Sequence, residues 1–165
     1  MASSSCPPSV YPVDPPVQAI LFTGIQATGK SSFYRERFFH SHVRINLDML
    51  RTRHRERVLL RACLEALQPF VVDNTNLTRQ ERATYIDPAR AAGFEVVGYY
   101  FQSKVEDSIV RNTGRPSAEQ IPERGIRGSS ARLQIPSLDE GFQRLFYVAI
   151  APAGGFVVEE WRHEV

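Results

Sequence analysis

The stretch Gly24-Ile25-Gln26-Ala27-Thr28-Gly29-Lys30-Ser31 matches G-x-x-x-x-G-K-[ST] in full. No other part of the 165-residue chain restricts the possible folds as much. Such a loop works only between a strand and the start of a helix, and both neighbours are legible. Ala19 to Thr23 is an apolar run of strand length. Ser31 to His40 reads as a helix, with Phe33 and Phe38/Phe39 on or near one stripe. The glycines let the backbone curl until its N–H groups converge, and the helix N-terminus adds partial positive charge. Gly24 to Ser31, with the adjoining Ser32, therefore reads as a cradle for polyphosphate. Lys30 would reach the β- and γ-phosphates, and Ser31 would offer a hydroxyl to Mg2+. The expected ligand is a nucleoside triphosphate such as ATP.

The remaining pattern alternates strands with helices. Val43 to Asn46, Phe70 to Val72, Phe94 to Phe101 and Leu145 to Ile150 read as strands, and Phe156 to Trp161 as an edge strand added by a hairpin. Between them, helices are expected over Met49 to Leu67, from the capping box Thr78-Arg79-Gln80-Glu81 to Gly93, and over Ser103 to Asn112. Ser137 to Glu140 caps one further turn. This spacing predicts an α/β fold of the P-loop NTPase/kinase type, a mostly parallel sheet with helices on both faces. Residues 1–16, with five prolines and a Ser-Ser-Ser run, read as a disordered leader, and 17–165 as one domain. Breakers crowd residues 113–136, which are expected to form a mobile lid with a short helix.

Composition excludes little. A net charge of +2 says nothing specific about partners. Lys30 and Lys104 are the only lysines among twenty basic residues, and arginine is the cation whose planar fork suits phosphate best. Cys6 and Cys63 make no disulfide framework and suggest free thiols in a reducing compartment. Neither a secretory h-region nor a run of membrane-spanning length occurs, so a cytoplasmic setting is expected.

In an open α/β sheet, ligands bind at the carboxyl ends of the strands. Besides the phosphate loop, Asp48 and Asp73-Asn74-Thr75-Asn76 fall there. Phosphoryl transfer to an alcohol needs a phosphate cradle, a metal, a carboxylate near the attacking hydroxyl, and cations for the moving charge. Asp48 suits the role of general base, or that of N-cap to the helix after it. Asp73 sits where a Walker-B carboxylate would hold Mg2+ through water, orient Asp48 or touch substrate; a turn role competes, and for Asn74 and Asn76 it is the simpler reading. Arg111 and Arg115, at the entry to the lid, could swing over the β- and γ-phosphates or merely complement a helix C-terminus. Arg124, Arg127 and Arg132 are weaker candidates for the same task. Arg51, Arg53, Arg55 and Arg57 could follow a phosphate backbone, or form a solvated face paired with Glu56 and Glu65.

Taken together, the phosphate loop, Asn46-Leu47-Asp48, Val71-Val72-Asp73-Asn74-Thr75-Asn76, Arg111-Asn112-Thr113-Gly114-Arg115 and Ser137-Leu138-Asp139-Glu140-Gly141-Phe142 resemble P-loop polynucleotide 5′-hydroxyl kinases. The likeness is strongest to the kinase domain of bifunctional polynucleotide kinase/phosphatases and covers about residues 17 to 150. The Asp-Asn-Thr-Asn block, 25 residues after Asp48, is far more selective than the phosphate loop. The resemblance implies ATP-dependent phosphorylation of a 5′-OH on DNA or RNA, as in nucleic acid repair. Asp48 would be the base, Arg115 the lid arginine, and Arg51 a contact to substrate phosphate, with Asp73 and Asn74 on the substrate side. Leu47 departs from the family's usual Asn-Arg-Asp and removes one cation. No Asp-x-Asp-x-Thr phosphatase signature is present. A kinase acting on a small metabolite and a non-catalytic ATP-binding module are the competing expectations.

Overall fold

The computed structural model describes residues 14–161. Most of the expected leader, together with Cys6, lies outside the described residues. Six strands form one sheet: β1 (Gln18–Thr23), β2 (Val43–Ile45), β3 (Phe70–Val72), β4 (Glu95–Phe101), β5 (Arg144–Ile150) and β6 (Phe156–Glu160). Their order is β2-β3-β1-β4-β5-β6, parallel throughout except for β6, which pairs antiparallel with β5. The expected parallel sheet and the terminal hairpin are both present.

Alternation along β1 shows why both faces must be covered. Ala19 and Leu21 pack with Leu60, Cys63, Tyr85 and Ile86 from the helices on one side. Ile20 and Phe22 pack with Phe33, Tyr34 and Phe38 on the other. The second face is mainly aromatic, with Phe22 and Phe33 centroids 5.8 Å apart and Phe33 and Phe101 at 5.4 Å. Cys63 is a free thiol buried in the first face, and burial pushes its pKa up. Gly98 sits mid-strand in β4 because a Cβ there would lie 2.6 Å from Leu145 and 2.8 Å from Phe142.

Helix α1 (Lys30–Arg37) stops earlier than the expected His40, with Phe38 as its C-cap turned into the aromatic core. The single helix expected over Met49 to Leu67 is two. Helix α2 (Leu47–Leu50) ends at Arg51, whose φ is +72°, and α3 (Arg53–Ala66) starts afresh from Thr52. Each has its own cap: Asn46 Oδ1 accepts from Met49 N at 2.9 Å, and Thr52 Oγ1 from Arg55 N at 3.2 Å. Helix α4 (Arg79–Ala91) begins on the expected capping box, with Glu81 reaching back to Thr78. Helices α5 (Val105–Thr113) and α6 (Glu123–Arg132) follow, with short 3-10 turns at Ser117–Glu119 and Leu138–Glu140. Among the described residues no helix is long and apolar enough to cross a membrane.

Candidate active site

The phosphate loop leaves β1 and enters α1 as the motif requires. Gly29 takes φ +93° at the N-cap, and a Cβ there would meet Phe156 at 2.9 Å and Ile150 at 3.2 Å. The C-terminal hairpin thus presses directly on the loop, a role nothing local in its sequence signals. Lys30 is buried, its Nζ donating to Gly24 O at 2.9 Å and Ile25 O at 2.6 Å. Burial lowers its pKa from 10.5 to about 8, opposed by the Asp73 charge, assisted by Arg115 and opposed again by Asp48. Lys30 therefore lies within electrostatic reach of Asp48, Asp73 and Arg115, three of the charged groups singled out from sequence.

Asp73, at the end of β3, is buried and receives the Ser31 hydroxyl at 2.9 Å. Arg44 of β2 donates to the same Oδ2 through Nε at 2.8 Å, and its Nη2 reaches Ser31 Oγ at 2.9 Å. Arg44 carries no motif signal in the sequence; its strand position opposite Val71 places it beside that carboxylate.

Asp48 is the second residue of α2 and does not cap it; Asn46 does. The turn that carries Asp48 is held from below. Asn46 Nδ2 donates to Asp73 O at 2.5 Å, and Leu47 N donates to Asn74 Oδ1 at 2.9 Å. Asn74 is thus no simple turn residue: its Nδ2 donates in turn to Glu56 Oε2 at 2.9 Å. One of the two readings of the arginine run puts Glu56 on a solvated face, yet it is only 4% exposed. It receives Tyr85 OH at 2.8 Å and Arg53 Nη1 at 2.9 Å. Burial and the adjacent carboxylate hold the Tyr85 phenol far above its ordinary pKa, so it stays a proton donor. Asn76, at φ +45°, donates to Phe22 O at 2.7 Å and ties the Asp-Asn-Thr-Asn loop to β1.

At the lid, Arg115 lines the cleft, whereas Arg111 does not: its Nε donates to Ala27 O at 2.7 Å and braces the loop from behind. The loop between α5 and α6 is stapled by buried Asn112, which donates to Ile121 O at 2.7 Å and accepts from Ile121 N at 3.0 Å. Helix α6 is longer than the short helix expected and docks through Ile126, packed with Ile25 and Leu77, and through Ser129, which accepts from Gln26 at 2.8 Å. Arg127 is engaged by Glu123 and Glu106, while Arg132 pairs with Glu81 at the cleft wall.

These elements enclose one cleft of about 790 Å3, a size suited to a ligand rather than a packing defect. Gln26 through Ser32, Asp48, Asp73, Asn74 and Arg115 line it; Gly24 and Ile25 lie behind it. Of the run Arg51, Arg53, Arg55 and Arg57, the residues that face the cleft are Arg53 and Arg57. Arg51 stands outside its lining, exposed at the kink, and Arg55 is turned to Leu50 O at 3.3 Å. Among the described residues no cluster of His, Cys, Asp or Glu forms a dedicated metal cage. The available oxygen pair is Ser31 Oγ and Asp73 Oδ2.

Comparison with known proteins matches residues 20–136 to the model of an AAA domain family, AAA_33. A curated relative, the bifunctional polynucleotide phosphatase/kinase of Schizosaccharomyces pombe (strain 972 / ATCC 24843), is 28% identical over 132 residues. That alignment takes in 76% of this chain and 32% of the relative, so the chain spans about a third of that protein's length. Among solved structures, a gluconokinase from Sinorhizobium meliloti 1021 superposes with a TM-score of 0.57 at 20% identity, covering 82% of this chain and 85% of that one. A chain of the Pnkp1/Rnl/Hen1 RNA repair complex gives 0.59 at 20% identity, covering 71% of this chain and 44% of that one. These structures share the fold.

Proposed function

We propose that this chain, which belongs to the AAA_33 family of AAA domains and has the fold of P-loop kinases, transfers the γ-phosphoryl of ATP to the 5′-hydroxyl end of a nucleic acid. One observation carries the reading: the Asp48 carboxylate, the buried Lys30 ammonium, Ser31 and Arg115 line a single cleft. That is the set phosphoryl transfer to an alcohol requires. The choice of a polynucleotide end over another alcohol is supported by the likeness to the Schizosaccharomyces pombe enzyme and by the block order Asn46-Leu47-Asp48, Asp73-Asn74-Thr75-Asn76 and Arg111 to Arg115.

In this mechanism the loop N–H groups and Lys30 hold the β- and γ-phosphates, so the γ-phosphorus faces Asp48. The acceptor oxygen attacks that phosphorus as its proton passes to the Asp48 carboxylate. The new P–O bond forms as the bond from the γ-phosphorus to the bridging oxygen breaks, and ADP leaves with the electron pair. Arg115 stabilises charge on the equatorial oxygens. Ser31 and Asp73 offer the hard oxygens magnesium takes, and Arg44 on the same Oδ2 favours Asp73 acting through water. The ion would supply charge neutralisation between the β- and γ-phosphates.

The test is incubation with labelled ATP and 5′-OH oligonucleotides of DNA and RNA. Label should move to the 5′ end, and Asp48→Asn should cut kcat by 100-fold or more, on the order expected for a lost general base, while ATP affinity stays within about twofold. Turnover retained in Asp48→Asn removes that residue from the role of base. No transfer to any DNA or RNA end overturns the polynucleotide assignment.

A further inference from the structure

Asp48 stands where two cavities meet. The phosphate-loop cleft continues past it toward α3 and α4, where Arg53, Arg57, Thr84 and Tyr85 make a polar wall. On the opposite side a second cavity of about 770 Å3 opens between the end of α1 and α2. It shares Ser31, Arg35, Asn46, Asp48 and Glu119 with the first but is flanked by Phe39, Met49, Tyr34 and Arg44. Phe39 is 61% exposed and Met49 52%. Neither belongs to a core cluster, so the fold does not need them there. Arg35 extends an exposed guanidinium over the same opening, tethered weakly to Ser31 O at 3.4 Å.

Both exits from Asp48 carry guanidinium groups, but only the second adds an exposed phenyl ring and a thioether. A polyol or sugar acid offers hydroxyls in every direction and has no use for the second exit. A nucleic-acid end divides in the same manner as the protein: beyond the 5′-hydroxyl, its charged chain leads one way and a flat apolar base the other. We propose that the Phe39–Met49 cavity takes the nucleobase of the 5′-terminal nucleoside, while the sugar–phosphate chain leaves past Arg53 and Arg57. Stacking on an aromatic side chain is tolerant of sequence, because every base has a π-face. Arg35 adds a cation beside the base. This inference rests on the polynucleotide reading and assigns its acceptor subsite.

The test uses the full chain, ATP and two 5′-OH oligonucleotides, one intact and one abasic at its first residue. The wild-type protein should show a KM for the intact strand roughly tenfold below that for the abasic one, within the usual range for a stacked base. In the Phe39→Ala/Met49→Ala double variant, KM for the intact strand should rise to the abasic value. The abasic KM and the ATP KM should stay within about twofold, the latter also reporting that the fold is intact. Equal effects on both strands, or none on the intact one, overturn the base site while leaving transfer itself standing. Failure to phosphorylate any oligonucleotide overturns the reading beneath it, and the base site with it.

Discussion

At the scale of single residues, Lys30 carries the clearest pH signature. Its ammonium is buried against the loop's own carbonyls, and burial holds its pKa near 8 instead of 10.5. Between those values the unfolded chain binds the extra proton, so stability rises with pH across that window. Below about pH 8 the cost of the buried charge is fully present. For nucleotide binding the sign reverses. The triphosphate's charge favours the ammonium, so binding draws in a proton once the pH exceeds 8, and affinity falls as pH rises further. Calorimetric titration with ATP at pH 8.5, in two buffers of different ionisation heat, should report net proton uptake. Lys30→Met should abolish it, and buffer-independent heats in the wild type would contradict the assignment. The residues legible from sequence are those whose role is written locally. Lys30 and Ser31 belong to one octapeptide, and Asp48 and Asp73 each follow the carboxyl end of a strand. Glu56 was not legible, because a carboxylate among arginines on a helix reads as surface. Only the approach of Tyr85 and Asn74 from two other elements buries it.

At the scale of elements, the strands and the capping boxes were legible because apolar runs and cap chemistry are local. The kink at Arg51 was not, since an arginine at φ +72° violates its own preference. It is held there by caps on both sides, at Asn46 and Thr52, and it aims Asp48 and Arg53 into one cleft. The segment 113–136 was legible as breaker-rich but not as docked, because Ile126 finds its partners Ile25 and Leu77 only in the folded chain. What then positions Arg115 is the buried Asn112 staple, two hydrogen bonds across the loop, backed on the exposed side by Gln120 Nε2, which donates to Thr113 O at 3.2 Å and Arg115 O at 2.8 Å. Asn112→Ala should cost about 1–3 kcal/mol of stability, the sum of two ordinary bonds. It should lower kcat by roughly tenfold or more, because Arg115 would no longer be pre-placed. Hydrogen exchange should quicken across residues 115–121 with the phosphate loop unchanged. Faster exchange at wild-type kcat would show that transfer does not need Arg115 held in advance.

At the scale of the whole molecule, the decisive bond joins residues 58 apart in sequence. Arg82 of α4 is fully buried and grips Glu140 through two bonds of 2.7 Å, Nε to Oε2 and Nη2 to Oε1. Its Nη1 donates to Asn76 O, Leu77 O and Gln134 O at 3.0, 3.1 and 2.9 Å. One guanidinium therefore fastens the loop after β3, the end of the lid segment and the turn before β5. Glu140 was expected only as the partner of Ser137 in a capping box, which it also is. Since the sequence shows the cap and not the depth, the buried pairing was out of reach. Removing one partner leaves a buried charge uncompensated, so Arg82→Met or Glu140→Leu alone should cost about 3–5 kcal/mol in denaturant unfolding. The double variant should recover much of that, giving a coupling of about 2 kcal/mol or more in a double-mutant cycle. Stability and activity should then part company. The double variant regains an uncharged core but not the donors to Asn76, Leu77 and Gln134, so its kcat should remain well below wild type at temperatures where it is fully folded. If kcat returns together with stability, Arg82 serves the core alone and the loop after β3 keeps its place without it.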